Sequence, residues 1–108
     1  MGDDILKRLY NVLEERKTAD PDTSYVASLY QKGTGKIAQK VGEEAVETII
    51  EALQNNRDRL KEESADLLFH LMVLWADAGL KPEEILSILE KRFGTSGLDE
   101  KAARTEIK

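Results

Sequence analysis

The chain of 108 residues contains no cysteine, one histidine and two prolines. Without cysteine it forms neither disulfides nor thiolate-ligated metal sites, and nothing in the composition indicates secretion. The first residues, Met1 to Asp4, lack the basic and apolar segments of a signal peptide. The best candidate for a membrane span, residues 67–76, is too short to cross a bilayer and contains His70. We therefore expect a cytoplasmic protein with no membrane partner.

The charge balance limits the classes of partner. The sequence has 21 acidic and 16 basic residues, for a net charge of −5, which makes nucleic acid an unsuitable partner. Charged residues make up 34% of the chain and hydrophobic residues 41%, a mixture typical of amphipathic helices rather than sheets. The length suits one domain, and we expect it to span residues 1–108.

Apolar residues recur at helical spacing along most of the chain, whereas no segment alternates as a strand would. This pattern predicts an all-α fold of four to five helices. The polar segment from about residue 95 to 108 is expected to be a tail that is flexible or ordered by substrate. The predicted helices are residues 3–17, a short helix capped by Ser24, a long helix capped by Thr34 and reaching Leu53, a long helix from Asn56 to a stop at Gly79, and a last helix from Pro82 to Gly94.

Both long helices carry apolar residues over wide arcs. At about 100° per residue, Ile49 belongs to one apolar stripe of the first long helix, while Val46, Ile50 and Leu53 lie on its far side. Such arcs exceed what one neighbouring helix covers in a monomer of this size. We therefore expect a homodimer that completes a larger helical bundle.

The most informative stretch runs from Gly42 to Leu68 and contains carboxylates at helical spacing. It reads E-E-x-x-E and, fifteen residues later, E-x-x-D, so each outer pair is three residues apart and lies on one face of its helix. The segment Gln54-Asn55-Asn56-Arg57 predicts a tight connection between two antiparallel helices. Because the two spacings mirror each other about Asn55, the hairpin should bring together four carboxylates: Glu44, Glu47, Glu63 and Asp66.

Four converging carboxylates repel one another unless a hard cation lies among them. Ligation by oxygen alone favours Mg²⁺, with Mn²⁺ as a second candidate. A di-iron centre would require Glu-x-x-His pairs, and the sequence has none. The competing interpretation of the acids is an ordinary solvent-facing edge, and His70 is interpreted as a hydrogen-bonded packing residue. Phe69, Met72 and Trp75 are expected in the core.

Basic residues flank the acidic stretch on both sides. Lysines one and two turns before Glu44 could form salt bridges with it or hold substrate phosphates. A second basic group surrounds the turn-forming sequence at residues 94–97, which could present backbone N–H groups to an anion. The predicted phosphate and substrate contacts are Lys36, Lys40, Arg92, Ser96, Lys101 and Arg104.

The carboxylate motifs resemble the signature of the all-α nucleoside-triphosphate pyrophosphatase superfamily, which includes the MazG-type enzymes. The flanking segments are similar to those of the phosphoribosyl-ATP pyrophosphohydrolase family, from about residue 5 to 104. This resemblance implies a MazG-like helical bundle and Mg²⁺-dependent hydrolysis of 1-(5-phosphoribosyl)-ATP to 1-(5-phosphoribosyl)-AMP and pyrophosphate, the second step of histidine biosynthesis. The segments that carry it are Ser24-Tyr25-Val26-Ala27-Ser28-Leu29, Gly33 to Ile37, Lys40-Val41-Gly42-Glu43-Glu44-Ala45, Ala65 to Leu71, and Ser96-Gly97-Leu98-Asp99-Glu100-Lys101.

The expected mechanism combines the metal site with the resemblance. A water activated by the metal, or deprotonated by Glu43 or Glu47, attacks the α-phosphorus while the metal neutralises charge on the leaving pyrophosphate. Two alternatives remain open at this stage. One is a housekeeping pyrophosphatase acting on (deoxy)nucleoside triphosphates, which would share the metal ligands. The other is a helical dimerisation module without catalytic activity, in which the four acids would tolerate alanine.

Overall fold

A computed structural model describes residues 2–94 of the chain, with side chains from residue 5 onward. Those residues form five α-helices and one short 3₁₀ helix, with no strand among them, which confirms the all-α prediction. The predicted tail lies outside the described residues. The helices are α1 (Gly2–Glu15), the 3₁₀ helix (Arg16–Thr18), α2 (Tyr25–Lys32), α3 (Thr34–Leu53), α4 (Arg57–Ala78) and α5 (Pro82–Phe93).

Local capping explains where several helices begin and end. The Ser24 hydroxyl accepts a hydrogen bond from Ala27 N at 3.1 Å and caps α2 as the sequence predicts. Asn56 caps α4 by accepting from Arg59 N at 3.3 Å. Gly79 ends α4 in the left-handed conformation, with φ of 78°, which a residue without Cβ adopts at little cost.

The prediction that Thr34 caps the first long helix is wrong. Gly33 occupies the cap position with φ of 96°, and Thr34 is the first helical residue. The glycine allows the chain to turn directly from α2 into α3. The Thr34 hydroxyl is therefore not the cap of α3. It donates instead to Asp77 Oδ2 on α4, at 2.6 Å.

The core lies where the first four helices meet. Its fully buried side chains come from all four, and Phe69 and Trp75 pack against them as partly buried residues, which agrees with their predicted placement in the core. The Tyr30 hydroxyl of α2 donates to Leu13 O of α1 at 3.0 Å and ties these two helices together. The buried apolar residues are Leu13, Val26, Ala27, Leu29, Ile37, Met72, Val73 and Ala76.

Part of the apolar surface of the α3–α4 hairpin stays outside this core. Leu53 is 82% exposed, Ile49 57% and Val46 55%, so a single chain leaves part of the predicted apolar arcs uncovered. Ile50 and Leu68 are exposed as well. We call these five residues the hairpin apolar face. None of the described helices is both long enough and apolar enough to span a membrane.

Candidate metal and phosphate site

The helices α3 and α4 form the antiparallel hairpin that the sequence predicts. The connection consists of Gln54 to Asn56, and Asn55 has a positive φ of 61°, a conformation that asparagine tolerates better than most residues. Glu51 near the end of α3 and Arg59 near the start of α4 approach to 3.7 Å between Oε2 and Nε. These two residues are equidistant from Asn55, so their contact confirms the predicted centre of the hairpin.

Three of the four predicted metal ligands converge on one point. Glu44 of α3 and Glu63 and Asp66 of α4 each place a carboxylate oxygen within 4.8 Å of the other two. Glu44 is 8% exposed and Glu63 is 6% exposed, whereas Asp66 is open to solvent. We call these three residues the carboxylate cluster. Two of its members are thus removed from most of the water that would otherwise screen their charges.

Glu63 is buried beside two other acids. Burial raises the pKa of its carboxyl group, and the neighbouring Glu44 and Asp66 raise it further, while Arg59 acts in the opposite direction. One oxygen, Oε2, receives a hydrogen bond from Arg59 Nη2 at 3.3 Å. The other, Oε1, is buried and has no hydrogen-bond partner within the described part of the chain. A buried carboxylate oxygen normally has a partner, so this atom is suited to a ligand.

Chemically, the cluster is suited to a divalent cation that prefers oxygen. All three donors are carboxylates, as Mg²⁺ and Mn²⁺ prefer. A cation would compensate the like charges of Glu44, Glu63 and Asp66 and would give Glu63 Oε1 the partner that it lacks. The residues present therefore fit the predicted metal.

Glu47, the fourth predicted ligand, is exposed and is not part of the group of three. Three residues along a helix correspond to about 300° of rotation, so Glu47 is turned by about 60° from the direction of Glu44, and the rotation of α3 about its axis decides which of the two acids faces α4. Glu44 lies on the same buried side of α3 as Ile37, whereas Glu47 lies outside that side. Its role as a ligand stays a prediction.

The two predicted catalytic acids differ in their surroundings. Glu43 is engaged at both oxygens, because Gln39 Nε2 donates to Oε2 at 2.8 Å and Lys40 Nζ lies 3.4 Å from Oε1. The hydrogen bond from Gln39, followed by that from Lys40, lowers the pKa of the Glu43 carboxyl group. No hydrogen bond or ion pair within residues 5–94 engages the Glu47 carboxylate.

The predicted phosphate contacts are only partly brought to the cluster. Lys40 is half-buried and its Nζ lies 3.8 Å from Glu44 Oε2, while Lys36 is near enough to act electrostatically on Glu43. Arg92 is exposed at the end of α5, a helix that packs against α1. Its contact with phosphate stays a prediction. Ser96, Lys101 and Arg104 lie outside the residues that the structure describes.

His70 is a buried, hydrogen-bonded residue, which confirms its interpretation from the sequence. Its Nδ1 lies 2.8 Å from the carbonyl oxygen of Asp66, and its Nε2 lies 2.8 Å from the Tyr25 hydroxyl. Because a carbonyl only accepts, Nδ1 carries the proton in the neutral ring, and Tyr25 donates to Nε2. The histidine thus links Tyr25 of α2 to the backbone of a cluster residue.

Two residues at the site, Arg59 and Tyr25, were not predicted from the sequence. Arg59 pairs with Glu63, and the four-residue spacing on one helix could have indicated it. Tyr25 offered no such signal, because 45 residues separate it from His70. Only the packing of α2 against the hairpin brings the two side chains together.

Comparison with known proteins identifies the family of the chain. A family model described as phosphoribosyl-ATP pyrophosphohydrolase matches residues 6–93. A protein from Azospirillum brasilense named phosphoribosyl-ATP pyrophosphatase is 60% identical over 100 residues, covering 93% of this chain and 90% of that protein. A protein of the same name from Paramagnetospirillum magneticum is 55% identical, with 94% of each chain covered, and one from Methylococcus capsulatus is 52% identical, with 94% and 96% covered. The chain therefore belongs to the phosphoribosyl-ATP pyrophosphohydrolase family.

Proposed function

We propose that this chain hydrolyses 1-(5-phosphoribosyl)-ATP to 1-(5-phosphoribosyl)-AMP and pyrophosphate, the second step of histidine biosynthesis, in a Mg²⁺-dependent reaction. Membership of the family and the names of the relatives support the substrate. The observation that carries the metal dependence is the carboxylate cluster, in which a buried oxygen of Glu63 has no hydrogen-bond partner among the residues that the structure describes.

Glu44, Glu63 and Asp66 would hold the Mg²⁺, with Glu47 as the predicted fourth ligand and Mn²⁺ as a possible substitute. When bound, the ion supplies positive charge that offsets the repulsion among the carboxylates and the charge of the triphosphate. Arg59 donates to Glu63 Oε2 at 3.3 Å, which leaves Oε1 available to a ligand.

Hydrolysis requires a base for the attacking water. The water oxygen forms a bond to the α-phosphorus, and the bond from that phosphorus to the bridging oxygen of pyrophosphate breaks, so pyrophosphate leaves with the bonding electrons. The water's proton passes to a carboxylate. Glu47 suits this role better than Glu43, because Gln39 and Lys40 already occupy the oxygens of Glu43.

Lysine side chains next to the cluster would orient the triphosphate. Lys40 Nζ lies between the carboxylates of Glu43 and Glu44, at 3.4 and 3.8 Å. It can therefore donate to a phosphate oxygen without leaving the site, since an ammonium group has three donors. Lys36, one turn earlier on α3 and half-buried, extends the positive charge along the same side.

Pyrophosphate release by purified protein tests the assignment of the acids. We expect Glu63→Gln and Asp66→Asn to reduce Mg²⁺-dependent turnover by about 100-fold or more, the loss typical when a preorganised electrostatic group is removed. Glu62→Gln is the matched control, because this exposed neighbour on α4 lies outside the cluster. Near-normal turnover in either of the first two variants would show that the cluster is not the reaction site.

A comparison of substrates tests the nucleotide. We expect phosphoribosyl-ATP to be hydrolysed with a far higher kcat/KM than ATP, dUTP or dCTP. The reverse order would favour the alternative prediction, a housekeeping (deoxy)nucleoside-triphosphate pyrophosphatase.

The active form is proposed to be a homodimer. The five residues of the hairpin apolar face are exposed in a single chain, and exposed apolar surface on paired helices is a common feature of protein–protein contacts. A second copy of the hairpin would cover it with apolar residues of the same kind and thereby complete a larger bundle.

A further inference from the structure

A second concave surface lies beside the carboxylate cluster. It is a cleft of about 510 Å³ between the 3₁₀ helix, the loop before α2, the first turn of α2 and one side chain of α4. Its volume is in the range of small-molecule sites. Its lining includes Arg16, Thr23, Ser24, Tyr25 and Phe69.

The cleft and the cluster meet at two points. Phe69 follows Asp66 by three residues on α4, so the two side chains lie next to each other on one face of that helix. Tyr25 donates to His70 Nε2 at 2.8 Å, and His70 Nδ1 lies 2.8 Å from the Asp66 carbonyl oxygen. In addition, Lys40 and Glu44 are near enough to act electrostatically on the Tyr25 hydroxyl.

Tyr25 is held in place while much of its surface is open. The residue is 51% exposed, although its hydroxyl is fixed by His70. The His70 ring meets it edge-on, with centroids 5.8 Å apart and an interplanar angle of 85°. A fixed and exposed aromatic ring is a suitable surface for a planar base, because stacking requires only a free face.

Arg16 is the one charged residue among the described residues that line the cleft. It is exposed, and none of the ion pairs formed within the described part of the chain engages its guanidinium group. Asp20 and Asp22 belong to the neighbouring loop but do not line the cleft, and Asp20 Oδ1 accepts the Asp22 N–H at 2.9 Å. Arg16 is therefore available to an anion.

We propose that this cleft binds the purine and the phosphoribosyl group of the substrate, with Tyr25 stacked on the purine and Arg16 paired with the terminal 5-phosphate. The inference rests on the proposed function. Phosphoribosyl-ATP carries a triphosphate at one end and a monophosphate at the other, separated by the purine and two riboses. An acidic site for a metal–triphosphate, followed by an aromatic ring and then an arginine, matches that order of groups. ATP has no group to reach Arg16, so the cleft selects against it.

Product binding tests this assignment without metal or turnover. Calorimetry with phosphoribosyl-AMP and with AMP should show that the wild-type protein binds phosphoribosyl-AMP more tightly by about 10-fold or more, as expected for a charge-assisted phosphate contact. Arg16→Gln should abolish most of that preference and leave the affinity for AMP unchanged. Arg8→Gln, at an exposed arginine of α1 outside the cleft, should keep the preference.

The stacking contact is tested separately. Tyr25→Ala should lower the affinity for both ligands by about 10-fold. Tyr25→Phe, which keeps the ring, should bind both with affinities within about twofold of the wild type. Thermal melting of each variant reports on folding.

If the wild type lacks the preference for phosphoribosyl-AMP, or if Arg16→Gln retains it, the subsite is wrong. Failure of the wild type to hydrolyse phosphoribosyl-ATP would instead overturn the proposed function, and the two results are separable.

Discussion

Arg59 and Glu63 form an ion pair in which one carboxylate oxygen is compensated and the other is not. Arg59 Nη2 lies 3.3 Å from Glu63 Oε2, while Oε1 of the same group is buried and has no hydrogen-bond partner among residues 5–94. The arginine therefore orients the carboxylate without satisfying it. Because Glu44 and Asp66 add two further acids within 4.8 Å, the free energy of unfolding should depend on a cation at this point.

Glu63→Gln should raise the melting temperature of the metal-free protein at pH 7, because a neutral amide removes like-charge repulsion from a buried position. The same change should reduce the stabilisation that Mg²⁺ gives to the wild type, through weaker binding of the ion. Melting curves with EDTA and with excess Mg²⁺ measure both effects. Glu62→Gln serves as the control on the same helix and should respond to Mg²⁺ as the wild type does. A wild-type melting temperature that Mg²⁺ does not change would contradict the metal site.

Tyr30 should give the protein a specific sensitivity to alkaline pH. Burial raises the pKa of Tyr30 to about 12 from its ordinary value of 10.0, and the neutral hydroxyl donates to Leu13 O. Its contribution to the free energy of unfolding is therefore complete below pH 10 and is lost as the pH rises through about 12. Tyr30→Phe should lower the free energy of unfolding by about 1 kcal/mol at pH 8, the usual contribution of one hydrogen bond.

Urea denaturation of both proteins at pH 8 and pH 11 measures this effect. The difference between the wild type and Tyr30→Phe should shrink at the higher pH, because only the wild type has this phenol to ionise on unfolding. A difference that stays constant between the two pH values would show that the phenol has the same pKa in the folded and unfolded states, and it would refute the prediction.

Ile49 should be part of a contact between two copies of the chain. It is 57% exposed in the hairpin apolar face, so Ile49→Glu should leave the fold of one chain intact but place a charge in a dimer interface. Light scattering after gel filtration should give the wild type twice the 12.2 kDa mass of one chain and should give the variant a mass close to 12.2 kDa. Ile5→Glu, at a similarly exposed residue of α1, is the control and should remain dimeric. A wild type of monomeric mass would rule out the homodimer.

Gly79 and Gly42 should respond in opposite directions to the same substitution. Gly79 ends α4 with φ of 78°, so Gly79→Ala should destabilise the protein by about 1 kcal/mol. Gly42 lies within α3 with a negative φ, and a Cβ added there would meet no atom within 4 Å. Gly42→Ala should therefore stabilise the protein by about 0.5 to 1 kcal/mol. Chemical denaturation measures the change in the free energy of unfolding for both variants. If both changes had the same sign, the conformational explanation would be contradicted.

Much of the fold could be predicted because its signals are local. The cap at Ser24, the turn at residues 54–57 and the stop at Gly79 each depend on a few neighbouring residues, and all three are confirmed. The cap at Thr34 is wrong for an equally local reason. Threonine is a good cap, but the glycine before it takes the cap conformation first, and the hydroxyl then finds Asp77 on another helix.

The candidate site was predicted in part. The three-residue spacings identify Glu44, Glu63 and Asp66, because neighbours on a helix face stay neighbours once two helices pair. Spacing alone could not show that Glu44 joins the cluster and Glu47 does not. Which of two acids one turn apart points inward depends on the rotation of α3 about its axis, and that rotation is set by the packing of Ile37 and the rest of the core.

The sequence by itself determined that this chain contains a helical hairpin with two acidic motifs that face each other, since helical period and turn residues act over short distances. Only the tertiary structure decided which carboxylates meet, which oxygen of Glu63 remains without a partner, and that Tyr25 reaches His70 across 45 residues. These relationships depend on how helices rotate and approach when the core closes, and that information is spread over the whole set of buried side chains rather than held in any one segment.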